Sequence, residues 1–147
     1  MRTKVEELLQ RKGSTVVTID AEASVREATA RMVGEGVGSL VVTSEGRIAG
    51  IFTERDCVRR VVLEGRSPAS TSVAQAMTGG PVQVSPDHTV EQCMALMTKQ
   101  RCRHLLVLRY GRVVGLISIG DCTAHLSRAA VEENGMLLEY ITGRYPG

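Results

Sequence analysis

The hydrophobic pattern changes period several times along the chain, and each change marks an element. Val5, Leu8 and Leu9 fall at helical spacing, so Val5 to Gln10 is expected as a short amphipathic helix that Lys12-Gly13-Ser14 closes. Val16-Val17-Thr18-Ile19 is a β-branched run and reads as strand. Ser24 can cap a helix that buries Val25, Ala28, Met32 and Val33, with Gly34-Glu35-Gly36 as its stop. Two apolar runs, Ser39 to Thr43 and Ile48 to Phe52, flank Glu45-Gly46-Arg47, which has hairpin-turn chemistry. A helix is expected from about Glu54 to Leu63, with Val58, Val61 and Val62 available for burial. Gly65 to Ser72 is rich in breakers and reads as a linker.

The same succession then begins again. Val73 to Met77 is a short helical turn and Val82-Gln83-Val84 a strand. Thr89 caps a helix carrying Val90, Cys93, Met94 and Met97 on one face. Leu105 to Leu108 and Val113 to Ile117 flank a turn at Arg109-Tyr110-Gly111-Arg112, and a last repeat helix runs from about Asp121 to Ala130. Gly50 aligns with Gly115 at an offset of 65 (115 − 50), and the same offset aligns Val25 with Val90, Met32 with Met97, Leu40 with Leu105 and Asp56 with Asp121. No gap is needed from Val17 to Val58, so the chain is an internal duplication. The expected division is residues 1–66 for the first repeat with its N-terminal helical segment, 67–72 for the linker, 73–130 for the second repeat and 131–147 for a C-terminal helix or tail. The fold class is α+β, two pseudo-symmetric β-α-β-β-α repeats. One repeat alone has too little core to stand by itself. Two are expected to pack sheet to sheet about a pseudo-twofold axis, with two symmetry-related grooves.

Composition narrows the function. With 147 residues, 43% hydrophobic and 23% charged, the chain can bury a core, and a net charge of +2 is too small and dispersed to suggest nucleic acid. One Phe and no Trp leave few stacking platforms for single strands. No apolar run approaches the roughly 20 residues of a membrane span. The opening Met1 to Glu7 lacks the apolar stretch of a signal peptide, so a cytoplasmic location is the default expectation. Cys57, Cys93, Cys102 and Cys122 form no Cys-x-x-Cys pair and read as small buried hydrophobes. His88, His104 and His125 have no partner at metal-like spacing, and no catalytic triad or Walker loop can be assigned, so no enzyme is expected.

The candidate chemistry lies in two matching stretches, Gly50-Ile51-Phe52-Thr53-Glu54-Arg55-Asp56 and Gly115-Leu116-Ile117-Ser118-Ile119-Gly120-Asp121. Each reads as a strand ending in a turn that opens a helix. Thr53 and Ser118 can meet an anion at the helix N-terminus, and Asp56 and Asp121 can each accept two hydrogen bonds from a vicinal diol such as a ribose. Both Asp residues have a plainer reading as helix N-terminal residues favoured by the dipole. Met32, Met94 and Met97 read as core filler.

This duplicated pattern resembles a tandem pair of CBS domains (cystathionine-β-synthase domains), a Bateman module, over nearly the whole chain from about Val5 to Leu126. Besides the two Gly-to-Asp stretches, Val73-Ala74-Gln75-Ala76-Met77-Thr78, Asp87-His88-Thr89-Val90 and Arg103-His104-Leu105-Leu106-Val107 carry the resemblance. It implies a regulatory, energy-sensing module that binds adenosyl ligands, AMP, ADP or ATP, or NAD or S-adenosylmethionine, in clefts between the repeats, with no obligatory cofactor. It implies ribose binding by Asp56 and Asp121 and ribose or phosphate contacts from Thr53 and Ser118. The adenine pocket would be lined near Val17, Thr18, Gly38, Ser39, Val82, Val84, Cys102 and His104. Arg103 takes the place of a phosphate-binding base in the second repeat, but its counterpart is Gly38. Arg55 offers partial compensation in the first repeat and is matched by Gly120.

A homodimer is expected, with Leu137, Leu138, Tyr140 and Ile141 of the tail as an apolar contact. A regulated protein partner is also open. A scaffold with unused clefts is the alternative, and a redox sensor at Cys57 and Cys122 a weaker third.

Overall fold

The structure is a computed structural model, and it describes residues 3–133. The described residues form two compact units, one from residues 15–81 and one from residues 3–14 together with 82–133. Neither unit is a sequence repeat alone.

In the first unit, β1 (Thr18–Asp20), α2 (Val25–Glu35), β2 (Ser39–Ser44), β3 (Arg47–Thr53) and α3 (Glu54–Cys57) follow in order, after α1 (Val5–Lys12), which belongs to the other unit. They are completed by α4 (Val73–Ala76) and β4 (Thr78–Gly79), giving a sheet of order β1-β2-β3-β4. β1 lies parallel to β2, and β3 runs antiparallel to both β2 and β4. Val25, Ala28, Met32, Leu40, Val42, Phe52, Val61 and Val73 are buried together beneath this sheet.

The second unit repeats the scheme with β5 (Gln83–Val84), α5 (Val90–Gln100), β6 (His104–Arg109), β7 (Arg112–Ser118) and α6 (Ile119–Glu133), in a sheet of order β5-β6-β7. Its core gathers Val5, Leu8 and Leu9 of α1 with Val84, Val90, Cys93, Met97, Leu105, Val107, Ile117 and Cys122. His125 is also buried there, and that burial, reinforced by Arg11, lowers its pKa from 6.5.

The helix that precedes each repeat therefore completes the other repeat. The Val90 N–H donates to Thr3 O at 2.7 Å and the Val5 N–H to His88 O at 2.9 Å, which ties α1 to the start of α5. In the first unit the Val25 N–H donates to Thr71 O and the Val73 N–H to Ala23 O, both at 2.8 Å. The sequence division groups Val5 to Gln10 with the first repeat by adjacency. Burial of Val5, Leu8 and Leu9 in the second repeat's core places the helix with that unit instead.

Most elements form where the hydrophobic pattern puts them. Both hairpins turn through two residues with positive φ, Glu45 (51°) with Gly46 (78°) and Tyr110 (51°) with Gly111 (76°), as a type I′ turn requires. The helix expected from Glu54 to Leu63 is the main departure. After four α-helical residues it widens into a π-helical turn, Val58–Val62, with the Leu63 N–H bonded to Val58 O. That turn buries Val61 and leaves Val58 and Val62 exposed, so only one of the three valines is used in the core. The expected apolar contact at Leu137, Leu138, Tyr140 and Ile141 lies outside the described residues. Among the described residues no helix is long and apolar enough to cross a membrane.

Candidate functional site

The strand pairing gathers the candidate residues at one end of each sheet. In the first unit Ser39 pairs with Thr53, and the Val41 N–H bonds to Val17 O, which sets Val17 and Thr18 beside them. Gly38 O accepts the Glu54 N–H at 3.1 Å. In the second unit His104 pairs with Ser118, the Leu106 N–H bonds to Val82 O, and Arg103 O accepts the Ile119 N–H at 2.9 Å. Cys102 follows the end of α5, its N–H bonded to Met97 O. Val84 is buried in the core below this end.

Each strand-to-helix corner is locked by a capping box. The Asp56 N–H donates to Thr53 Oγ1 at 3.1 Å, and the Thr53 N–H donates to Asp56 Oδ2 at 3.0 Å. The second repeat reproduces both bonds, Asp121 N–H to Ser118 Oγ at 3.0 Å and Ser118 N–H to Asp121 Oδ2 at 2.8 Å. The hydroxyl and carboxylate types that mark the motif are thus required for reciprocal capping. The plainer reading of Asp56 and Asp121 accounts for one oxygen of each carboxylate.

The remaining contacts differ between the repeats. Asp56 is 8% exposed, and its Oδ1 accepts the Thr78 hydroxyl at 3.0 Å. Asp121 is more open, with a side chain 27% exposed, and its Oδ2 also accepts Lys12 Nζ at 2.7 Å. Lys12 Nζ donates in addition to Leu116 O at 2.8 Å. Burial works against ionisation of Asp121, but the Lys12 ammonium and Ser118 outweigh it and hold the carboxyl below its ordinary 3.8. Asp121 Oδ1 takes no hydrogen bond among the described residues, which leaves an acceptor at the corner.

Two glycines make room for these contacts. A Cβ on Gly50 would stand 2.5 Å from Thr78 O, and one on Gly115 would stand 2.6 Å from Leu9 Cδ2. The repeated Gly therefore admits the segment that completes each unit, β4 at Gly50 and α1 at Gly115.

The sequence reading missed Lys12, Thr78 and Glu54. The signal for the first two is a second offset: Thr3 and Val5 align with Thr71 and Val73 at 68 residues (73 − 5), which marks the segments before the repeats as equivalent. Under that offset Lys12 aligns with Gly80, so the asymmetry was visible only as a mismatch. Among the described residues no His, Cys, Asp and Glu cluster suited to a metal occurs. Burial pushes the Cys93 thiol up to about 12 and the Cys122 thiol up to about 11, which keeps Cys122 protonated and disfavours it as a redox sensor.

A duplicated unit with a capped strand-to-helix corner and an interchanged leading helix defines a tandem-repeat α+β protein. The CBS-domain profile matches residues 5–63 and again 73–128, and the chain belongs to the CBS-domain family, as a pair of such domains. It is 34% identical to the CBS domain-containing protein CBSX3, mitochondrial, of Arabidopsis thaliana, over 97% of this chain and 74% of that one. Other plant relatives are longer, and the chain spans 20% of their length. A crystal structure of a CBS-domain containing protein from Agrobacterium tumefaciens matches with TM-score 0.77 and 42% identity, covering 84% of this chain and 93% of that one. A hexameric CBS-CP12 protein from bloom-forming cyanobacteria matches with TM-score 0.74 and 29% identity, over 82% of this chain and 69% of that one. The family is one of regulatory modules.

Proposed function

We propose that the chain is a regulatory module that binds an adenosyl ligand and signals by a change of conformation. The observation that carries the reading is the duplicated corner, in which Asp56 and Asp121 stand at matching positions, each beside a hydroxyl. A ribose diol needs a carboxylate with an acceptor to spare, and Asp121 Oδ1 fits that need. Adenine would sit against the half-buried residues beside each corner, Val17 and Ser39 in the first repeat and Val82, Cys102 and His104 in the second. Thr18, Arg103 and Gly120 are exposed there, open to a ligand's polar groups, and Gly38 is exposed with the Glu54 carboxylate beside it. For binding to signal, the ligand must prefer one arrangement of the protein over another.

A thermal-shift panel of AMP, ADP, ATP, NAD and S-adenosylmethionine, followed by calorimetry, tests the reading. A ligand at about 100 times its dissociation constant adds about 2.7 kcal/mol to stability. Asp121→Ala should weaken that binding by about 1.5–3 kcal/mol, as for a hydrogen bond to a charged group. A chain that none of the five stabilises is not an adenosyl sensor.

A second reading, self-association with or without a ligand, is favoured by a separate observation. Val33, Val58, Val62 and Leu63 are 78%, 53%, 64% and 76% exposed on the helices of the first repeat. Their counterparts at the 65-residue offset are Thr98, Thr123, Ser127 and Arg128. An apolar set in one repeat and a polar set in the other suit a homodimer joined through its first repeats. Light scattering should give a dimer mass for the native chain and a monomer mass for the Val62→Glu/Leu63→Glu variant. A native monomer would end this reading.

A further inference from the structure

The two matching carboxylates have different partners, and the cation on Asp121 comes from outside the shared motif. Lys12 reaches Asp121 from the end of α1, and Arg103 lies beside the same corner, its carbonyl holding the Ile119 N–H. Arg103 is exposed and forms no ion pair among the described residues. In the first repeat Thr78 replaces Lys12 as the neighbour of the carboxylate, and Gly38 replaces Arg103. The space beside Gly38 is taken by a carboxylate, since a Cβ there would stand 2.5 Å from Glu54 Oε1. Glu54 is in turn replaced by Ile119 in the second repeat. Arg55, and Arg60 bonded to Met77 O beside Thr78, offset Glu54 and Asp56 there, but among the described residues no cation pairs with Asp56 itself. In the second corner the Lys12 ammonium sits directly on Asp121.

We propose that Lys12 is a specificity-determining residue: it makes the second-repeat corner select an adenosyl ligand that carries a phosphate over one that is uncharged or bears a sulfonium. This rests on the adenosyl reading above and adds the ligand class. An ammonium has three N–H donors. Asp121 Oδ2 and Leu116 O take two, which leaves one for a ligand oxygen. The Lys12 side chain is 35% exposed and therefore accessible. Gly120 keeps the approach open, because a Cβ there would meet only Ser118 Oγ at 3.6 Å. The ion pair does double service: it keeps Asp121 ionised to accept a diol, and it fixes the ammonium where a phosphate joined to the same ribose can reach it. The first corner has no ammonium on its carboxylate, and the Thr78 hydroxyl occupies Asp56 Oδ1 instead.

Calorimetry on the full chain with adenosine, AMP and S-adenosylmethionine decides the matter. The native chain should bind AMP at least about tenfold more tightly than adenosine, the gain expected from one charged hydrogen bond. Lys12→Met should lower AMP affinity several-fold more than it lowers adenosine affinity and so remove most of that gap, and Lys12→Arg should preserve it. An AMP-to-adenosine ratio that is unchanged in Lys12→Met, whether both affinities hold or both fall, would make Lys12 a structural clasp and overturn the proposal while the adenosyl reading stands. A native chain that binds none of the three compounds would remove the adenosyl reading and this proposal with it. If Lys12→Met fails to fold, the native chain still decides, since AMP no tighter than adenosine overturns the proposal.

Discussion

The corner at Thr53–Asp56 and the corner at Ser118–Asp121 share a capping box, with all four bonds between 2.8 and 3.1 Å, yet they differ in the side chain that reaches the carboxylate. Asp56 is closed over by a neutral hydroxyl from Thr78, and Asp121 is held by the ammonium of Lys12. The box is local: it needs only a hydroxyl and an acid three residues apart at a strand end, so duplication preserves it. The third partner comes from the segment before the other repeat, whose sequence is free to diverge. In this chain the repeat supplies the position of the carboxylate, and the interchanged segment sets its charge environment.

Two substitutions test how firmly those segments are held. Gly50→Ala meets the backbone carbonyl of Thr78, which cannot move without loss of the β3–β4 pairing, whereas Gly115→Ala meets the end of the Leu9 side chain. Overpacking of this kind costs about 1–3 kcal/mol. Gly50→Ala should fall near about 3 and Gly115→Ala near about 1 in urea unfolding, since a side-chain end yields more easily than a backbone atom. Equal losses would mean that the two segments are docked with equal rigidity.

A smaller effect should appear in acid. The Asp121 carboxyl is held below its ordinary 3.8, so its contribution to stability is complete above that pH and is lost as pH falls through the lower folded value. Lys12→Met removes the main opposing influence to burial, so the native chain should lose more stability than the variant between neutral pH and that acid range. Melting temperatures recorded for both proteins down the pH scale would give the difference, and parallel curves would break the link between Lys12 and Asp121.

Much of this arrangement is legible in the chain. The 65-residue offset, the helical spacing of Val25, Ala28 and Met32, and the hairpins around Gly46 and Gly111 all report local demands that a short window can express. The Thr53–Asp56 and Ser118–Asp121 spacings locate both corners for the same reason. Val58 and Val62 misled because valines spaced for an α-helix change faces once the turn widens to π geometry. A small residue at Gly50 and Gly115 marks a close approach, but what makes that approach is set by segments distant in the chain.

The sequence by itself determined the duplication, the strand and helix order, the two capped corners and the absence of a long apolar span, because each depends on residues close together in the chain. Only the tertiary structure decided that α1 completes the second repeat and α4 the first, and so brought Lys12 to Asp121 across 109 positions. A hydrophobic face such as Val5, Leu8 and Leu9 states that it must be buried, but burial is nondirectional and names no partner. The hydrogen bonds at Thr3 and Thr71 and the space left by Gly115 and Gly50 select the partner, and they exist only once the sheets have formed.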